Sequence, residues 1–119
     1  MDKKTDELFE NTILELRRGL IVLAVLSQLG DEQYGYSLIK RLCDKGLKID
    51  QGTLYPLLRR METQGLHQSA RRVEDDRPRR YYVINPAGKE ILPRLKYEWY
   101  SLVEMMDGML KVNEGGENG

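Results

Sequence analysis

The chain has 119 residues, 40% apolar and 32% charged, enough for one small hydrophobic core and unlike either a disordered or a collagen-like chain. One cysteine excludes a disulfide framework, one cysteine with one histidine cannot build a structural zinc site, and no cofactor is expected. The longest apolar run, Leu20–Leu26, is far below the ~20 residues of a membrane span, and the acidic start from Asp2 to Glu15 is unlike a cleaved signal, so a small soluble cytoplasmic protein is expected.

The first helical pattern runs from about Asp6 to Leu29. Leu8, Ile13, Leu16, Leu20, Leu23 and Leu26 recur at mostly helical spacing, and Gly30-Asp31 ends the run. Gly19 inside it costs about 1 kcal/mol against alanine, which points to close packing there. A second helix is expected from Gly35 to Lys45, with Leu38, Ile39 and Leu42 on one face and Gly46 as its cap. Cys43, beside that face, reads as a small buried core residue. The third helix begins near Asp50 or Thr53, both good caps, and stops at Gly65; Pro56 is tolerated because it falls in or near the first turn.

Beyond Leu66 the pattern changes. Two stretches, Leu66–Glu74 and Arg79–Ile84, flank Asp75-Asp76-Arg77-Pro78, a turn by composition, and predict a hairpin. His67 stands alone on the first of these strands and is expected to decorate the surface. Asn85-Pro86 reads as cap and first position of a last helix running to about Lys111, with a kink or restart near Ile91–Pro93. A glycine-rich tail from Asn113 to Gly119 is expected to be disordered. The fold class is mainly α with a small β-hairpin. Three helices, a two-stranded hairpin and a long helix follow the order of a winged helix-turn-helix domain with a long C-terminal helix. The expected division is the winged domain over 1–84, the long helix over 85–112, to which the family resemblance given below assigns dimerisation, and the tail over 113–119.

Net charge is zero, but its distribution is uneven. Residues 33–82 carry eleven Lys/Arg against six Asp/Glu, so a basic middle lies between acidic flanks. Such a middle suits a phosphate backbone, or is simply a solvated face. Leu54, Leu57, Leu58 and Met61 occupy one side of the third helix. The other side offers Gln51, Gly52, Thr53, Tyr55 and Arg59, small and hydroxyl groups suited to a helix end pushed into a major groove; an ordinary polar outer face has the same pattern. The hairpin places Arg71, Arg72, Arg77, Arg79 and Arg80 on one ribbon, where guanidinium groups bind phosphate bidentately. Phosphate-loop, dinucleotide, zinc-protease and nucleophile-elbow motifs are all missing from the sequence, and an enzyme is not expected.

These features combine into a resemblance. Arg17-Arg18-Gly19-Leu20, Tyr34-Gly35-Tyr36, Gly52-Thr53-Leu54-Tyr55-Pro56-Leu57-Leu58 and Arg77-Pro78-Arg79-Arg80-Tyr81-Tyr82 are similar to the PadR family of bacterial transcriptional regulators, across about residues 14–110. The short C-terminal helix resembles the compact members. Asp76 stands where the family's wing usually has glycine, and Pro93 interrupts a helix that is usually continuous. The resemblance implies DNA contacts from Tyr36, Gly52, Thr53, Tyr55 and Arg59, with wing phosphate contacts from Arg79 and Arg80; Arg77, on the same arginine-rich ribbon, is a further DNA-binding candidate. Gln51, at a variable position beside the motif, is the candidate for reading adenine.

Along the last helix Leu92, Leu95, Trp99, Leu102, Met106 and Met109 form a narrow seam that suits either this domain's core or a partner helix. Family members dimerise through this helix, which implies dimer contacts from Leu95, Trp99, Leu102, Met106 and Met109. Two third helices would then face successive major grooves about 34 Å apart. Trp99, with Tyr97, Met105 and Met106, is the expected site of a small hydrophobic or aromatic effector. The expected protein is a homodimeric repressor on an inverted-repeat operator; the rival is a winged helix used only for protein–protein contact.

Overall fold

The computed structural model of the chain describes residues 2–115. Helix α1 spans Lys3–Ser27 and begins earlier than its apolar pattern does, because Asp2 caps it by accepting a 2.8 Å hydrogen bond from the Thr5 amide. That amide holds the Asp2 carboxyl below its ordinary range. Only the C-terminal end of α1 is buried, at Val25 and Leu26, with Leu29 just beyond. Gly19 does not serve close packing within the chain: nothing lies within 4 Å of the position a Cβ would take there.

Strand β1 is two residues long, Gln33–Tyr34, and runs directly into α2, Gly35–Asp44. Leu38 and Leu42 of α2 are buried and Ile39 is half-buried. Cys43 is exposed, contrary to expectation. One residue turns a helix by about 100°, so the position after Leu42 rotates past Ile39 and out of the core. Helix α3, Gln51–Gln64, is capped by Asp50, which accepts a 2.8 Å bond from the Thr53 amide, and ends at Gly65 with φ +91°. Pro56 falls in the second turn and leaves the Gly52 carbonyl without its usual helical donor.

Strands β2, His67–Glu74, and β3, Arg77–Ile84, pair antiparallel with Glu74 opposite Arg77. The turn is therefore Asp75-Asp76 alone, with φ +50° and +64°, the doubly positive geometry of a tight hairpin. Arg77 and Pro78, expected in the turn, belong to the strand. Strand β1 pairs with the other side of β3, giving the sheet order β1-β3-β2. The result is a mainly helical winged helix-turn-helix with a small antiparallel sheet and a long C-terminal helix.

Helix α4 spans Pro86–Gly115 without a restart at Pro93. It therefore includes residues 113–115, where disorder was expected; residues 116–119 lie outside the described residues. Asn85 fixes its start, accepting from the Gly88 amide at 2.8 Å and donating to the Gly65 carbonyl at 2.8 Å. Gly88 is required by close approach, since a Cβ there would stand 2.1 Å from the Leu66 carbonyl oxygen.

The core gathers Leu26, Leu29, Leu38, Leu54, Leu58 and Met61 under the sheet residues Tyr82 and Ile84, with Leu92 and Leu95 of α4 packed against it. His67 joins this core rather than the surface: it is 1% exposed, and its Nε2 lies 2.8 Å from the Leu58 carbonyl oxygen. Its register opposite Ile84 turns it inward.

Candidate nucleic-acid interface

The cap at Asp50 leaves Gln51, Gly52 and Thr53 exposed at the tip of α3, with Arg59 exposed one to two turns further on. Tyr55 is half-buried because its ring lies against the start of α2. A Cβ at Gly35 would come within 2.6 Å of Tyr55 Cε1, so a side chain there would displace the ring. Tyr36, 71% exposed, projects from the first turn of α2. The structure thus brings Tyr36 and Tyr55 together at the junction of α2 and α3.

The wing arginines divide between two faces. Alternation along the paired strands puts Arg71 and Arg80 on the side of Ser69 and Tyr82, and Arg72, Arg77 and Arg79 on the other. Arg80 donates to Ser69 Oγ at 2.8 Å, and Ser69 donates to Glu62 of α3 at 2.6 Å, a chain that ties wing to helix. On the opposite face Arg72 forms a two-point pair with Glu32 at 2.8 and 2.5 Å and lies over the Tyr81 ring. That pair holds the Arg72 guanidinium above its ordinary range and makes it a structural arginine more than a free phosphate ligand. Arg79 lies 4.7 Å from the centre of the Tyr34 ring.

Glu74 anchors this face by accepting from the Tyr34 and Tyr81 hydroxyls, each at 2.5 Å, which brings the two phenol oxygens side by side. The hydroxyls hold the Glu74 carboxyl below its ordinary range. Burial and the adjoining carboxylate push the Tyr81 phenol well above its own. Glu32, Tyr34, Glu62, Ser69 and Glu74 are positioning residues that sequence reasoning missed. Each acts across a strand pairing or a packed face; Tyr34 lies in the Tyr34-Gly35-Tyr36 motif, but nothing local marks its role or the other four residues.

A second feature lies away from this face. Between α1 and α4 runs an apolar groove of about 630 Å³, lined by Leu16, Leu20, Leu23, Leu95, Trp99 and Leu102, with Arg17 and Glu98 at its margin. Tyr97 is not in it; two positions along a helix turn the side chain away, and it borders a separate hollow with Pro93. Met105, Met106 and Met109 lie exposed further along α4.

Among the described residues no group of His, Cys, Asp and Glu could hold a metal ion, and no helix is long and apolar enough to cross a membrane. A helix-turn-helix with its reading helix exposed beside an arginine-bearing wing defines a DNA-binding regulator class. Residues 22–94 match the Transcriptional regulator PadR-like family, and the chain belongs to that family. It is 40% identical over 79 residues to Transcriptional regulator Rv3488 of Mycobacterium tuberculosis, covering 66% of this chain and 74% of the relative. Its structure is similar to a PadR family transcriptional regulator from Eggerthella lenta, with TM-score 0.84, 39% identity and coverage of 92% and 98% of the two chains. A PadR-like transcriptional regulator from Bacillus cereus aligns with TM-score 0.70 and 27% identity over 82% and 97%. The family and these relatives are transcriptional regulators, not enzymes.

Proposed function

We propose that the protein is a homodimeric repressor that binds an inverted-repeat operator and is released by a small hydrophobic or aromatic effector. The observation that carries the DNA contact is the meeting of Tyr55 of α3, the start of α2 and the wing arginines Arg79 and Arg80 around one hollow, with the start of α3 exposed. On this reading Gln51, Gly52, Thr53 and Arg59 meet base edges and adjoining backbone, Tyr36 and Tyr55 flank them, and Arg77, Arg79 and Arg80 meet phosphate. Residues 1–84 act as the DNA-binding unit, and 85–112 as the dimerisation helix.

What supports the dimer is apolar surface that one chain leaves open. Leu8, Leu14 and Leu16 of α1 and Leu102, Met109 and Leu110 of α4 are all at least 48% exposed. Large apolar side chains left open along two long helices are what an interface would cover. The test is binding to a fragment of the protein's own promoter across a salt series, followed by footprinting. Two protected half-sites about 34 Å apart and a steep salt slope are expected. Salt-independent or absent binding would favour a protein-contact role instead.

A further inference from the structure

We propose that Asn85 is a positioning residue that fixes the angle between α3 and α4, and so sets the half-site spacing that the dimer accepts. This deepens the dimeric DNA-binding reading and rests on it. The base of α4 meets the winged domain at the corner where α3 turns into β2, and the Asn85 amide joins the two there.

The corner is held by its own hydrogen bonds. Gly65 ends α3 with φ +91°, and its amide donates back to the Glu62 carbonyl at 2.9 Å. The next amide, from Leu66, donates to the Met61 carbonyl at 3.0 Å, which closes the last turn. His67 follows, and its buried Nε2 donates to the Leu58 carbonyl at 2.8 Å, further back along α3. Bending the corner would break these bonds, so residues 65–67 move with α3 as one body.

Asn85 fastens α4 to that body. Its Nδ2 donates to the Gly65 carbonyl at 2.8 Å while its Oδ1 accepts from the Gly88 amide at 2.8 Å. One side chain thus grips the end of α3 with one atom and the first turn of α4 with the other. Gly88 lets the two backbones close, since a Cβ there would stand 2.1 Å from the Leu66 carbonyl oxygen. Just before Asn85, the Ile84 amide donates to the Leu29 carbonyl at 2.8 Å, which fixes the pivot but not the direction of α4. Among the described residues no other side-chain hydrogen bond or ion pair links residues 85–111 to the rest of the chain. Leu92 and Leu95 pack against the core, but apolar burial is non-directional and holds an angle less sharply than a two-point grip.

Helix length converts a small angle into a base-pair step. The 14 residues of α3 span about 20 Å, with the exposed Gln51–Thr53 tip at the end far from the corner. A swing of about 10° at Gly65 moves that tip by about 3.5 Å, the rise of one base pair. In a two-fold dimer both tips move, so a loose joint admits half-sites nearer together or farther apart.

The test uses the full chain and duplexes built on the operator footprinted in its promoter, with the half-site spacing changed by one or two base pairs either way. Asn85→Asp keeps an oxygen to cap α4 but replaces the donor with a carboxylate facing the Gly65 carbonyl. Asn85→Ser is a neutral second variant, a good cap too short to grip both partners. Both should remain dimers in sedimentation. The affinity ratio between the natural spacing and its neighbours should fall about fivefold in each, the scale of one net hydrogen bond. Affinity for a duplex with a single half-site should not change, because no DNA contact is altered. A loss of stability alone would weaken binding to every duplex by the same factor; such a uniform loss, or an unchanged ratio, overturns the role. Loss of the dimer in both variants overturns it as well, since Asn85 would then serve only to hold α4 in place. A wild type that binds two half-sites no better than one is a distinct result: it removes the dimeric reading and the spacing role with it.

Discussion

A single methyl group at position 88 measures how closely α4 is seated on the winged domain. The Leu66 carbonyl oxygen would stand 2.1 Å from that Cβ, and Ile84 Cγ1 2.7 Å. Backbone must move, so Gly88→Ala should destabilise the fold by about 2–3 kcal/mol, read as a lower denaturant midpoint with unchanged slope. An unchanged midpoint would mean that α4 sits further from Leu66. Such a contact is invisible in a sequence, where Asn85-Pro86-Ala87-Gly88 reads only as a helix start. Cys43 and His67 show the same limit. Hydrophobicity favoured burying the thiol and exposing the imidazole, whereas helix rotation and strand register do the reverse. Strand β2 has only Ala70 and Val73 as apolar residues, too few to set an alternation that would reveal that His67 faces inward.

At the level of elements, the helices were legible because caps and apolar spacing agree: Asp50 and Gly65 bound α3, and Leu54, Leu57, Leu58 and Met61 fill the core. Strand β1 was not, since two residues hold no period, yet it supplies Tyr34 to the Glu74 anchor. The arginine-rich hairpin was legible, but not the division of its arginines between faces. Replacing Arg79 and Arg80 together with alanine should weaken operator and non-operator binding alike and lower the log–log salt slope by about 2–4 units for a dimer. Arg72→Ala, whose guanidinium is already paired with Glu32, should alter that slope far less. A fall as large as for the double variant would put Arg72 on the DNA. The Glu74 anchor has its own signature. Its carboxyl is lowered in the folded chain, so its contribution is fully present above the unfolded carboxylate range and is lost as pH falls through the lowered folded value. Ring resonances of Tyr34 and Tyr81 should therefore shift together as pH falls below the ordinary carboxylate range. Glu74→Gln should abolish that step; if it persists, another carboxylate carries it.

The whole molecule is more extended than its length requires. Its radius of gyration is 17.8 Å and its longest dimension 64 Å, against about 13.5 Å of radius for a compact chain of this size. The excess comes from the N-terminal part of α1 and the C-terminal part of α4, which the core does not cover. Leu102→Asp should abolish the proposed dimer at micromolar concentration in sedimentation, because a carboxylate in that seam is left unpaired; a persisting dimer would place the interface elsewhere. Trp99 belongs to the same surface. It is half-buried against the groove shared with Leu16, Leu20 and Leu95, and Gly19 leaves that groove open above it. In a seam, tryptophan packs less readily than leucine, whereas its flat face stacks well on a planar ligand. Arg17 and Glu98 at the margin give such a ligand's polar groups a partner of either sign. Tyr97 borders a separate hollow, so it reaches the ligand only if the second protomer brings it there. A planar aromatic compound should thus quench the emission of the single tryptophan. Trp99→Ala should lose ligand binding, followed by calorimetry, while keeping operator affinity, since the groove contains none of the proposed DNA contacts. A panel of planar aromatics that leaves the emission unchanged would make Trp99 a packing residue. Loss of operator affinity in Trp99→Ala would show instead that the indole holds the two reading helices at their spacing.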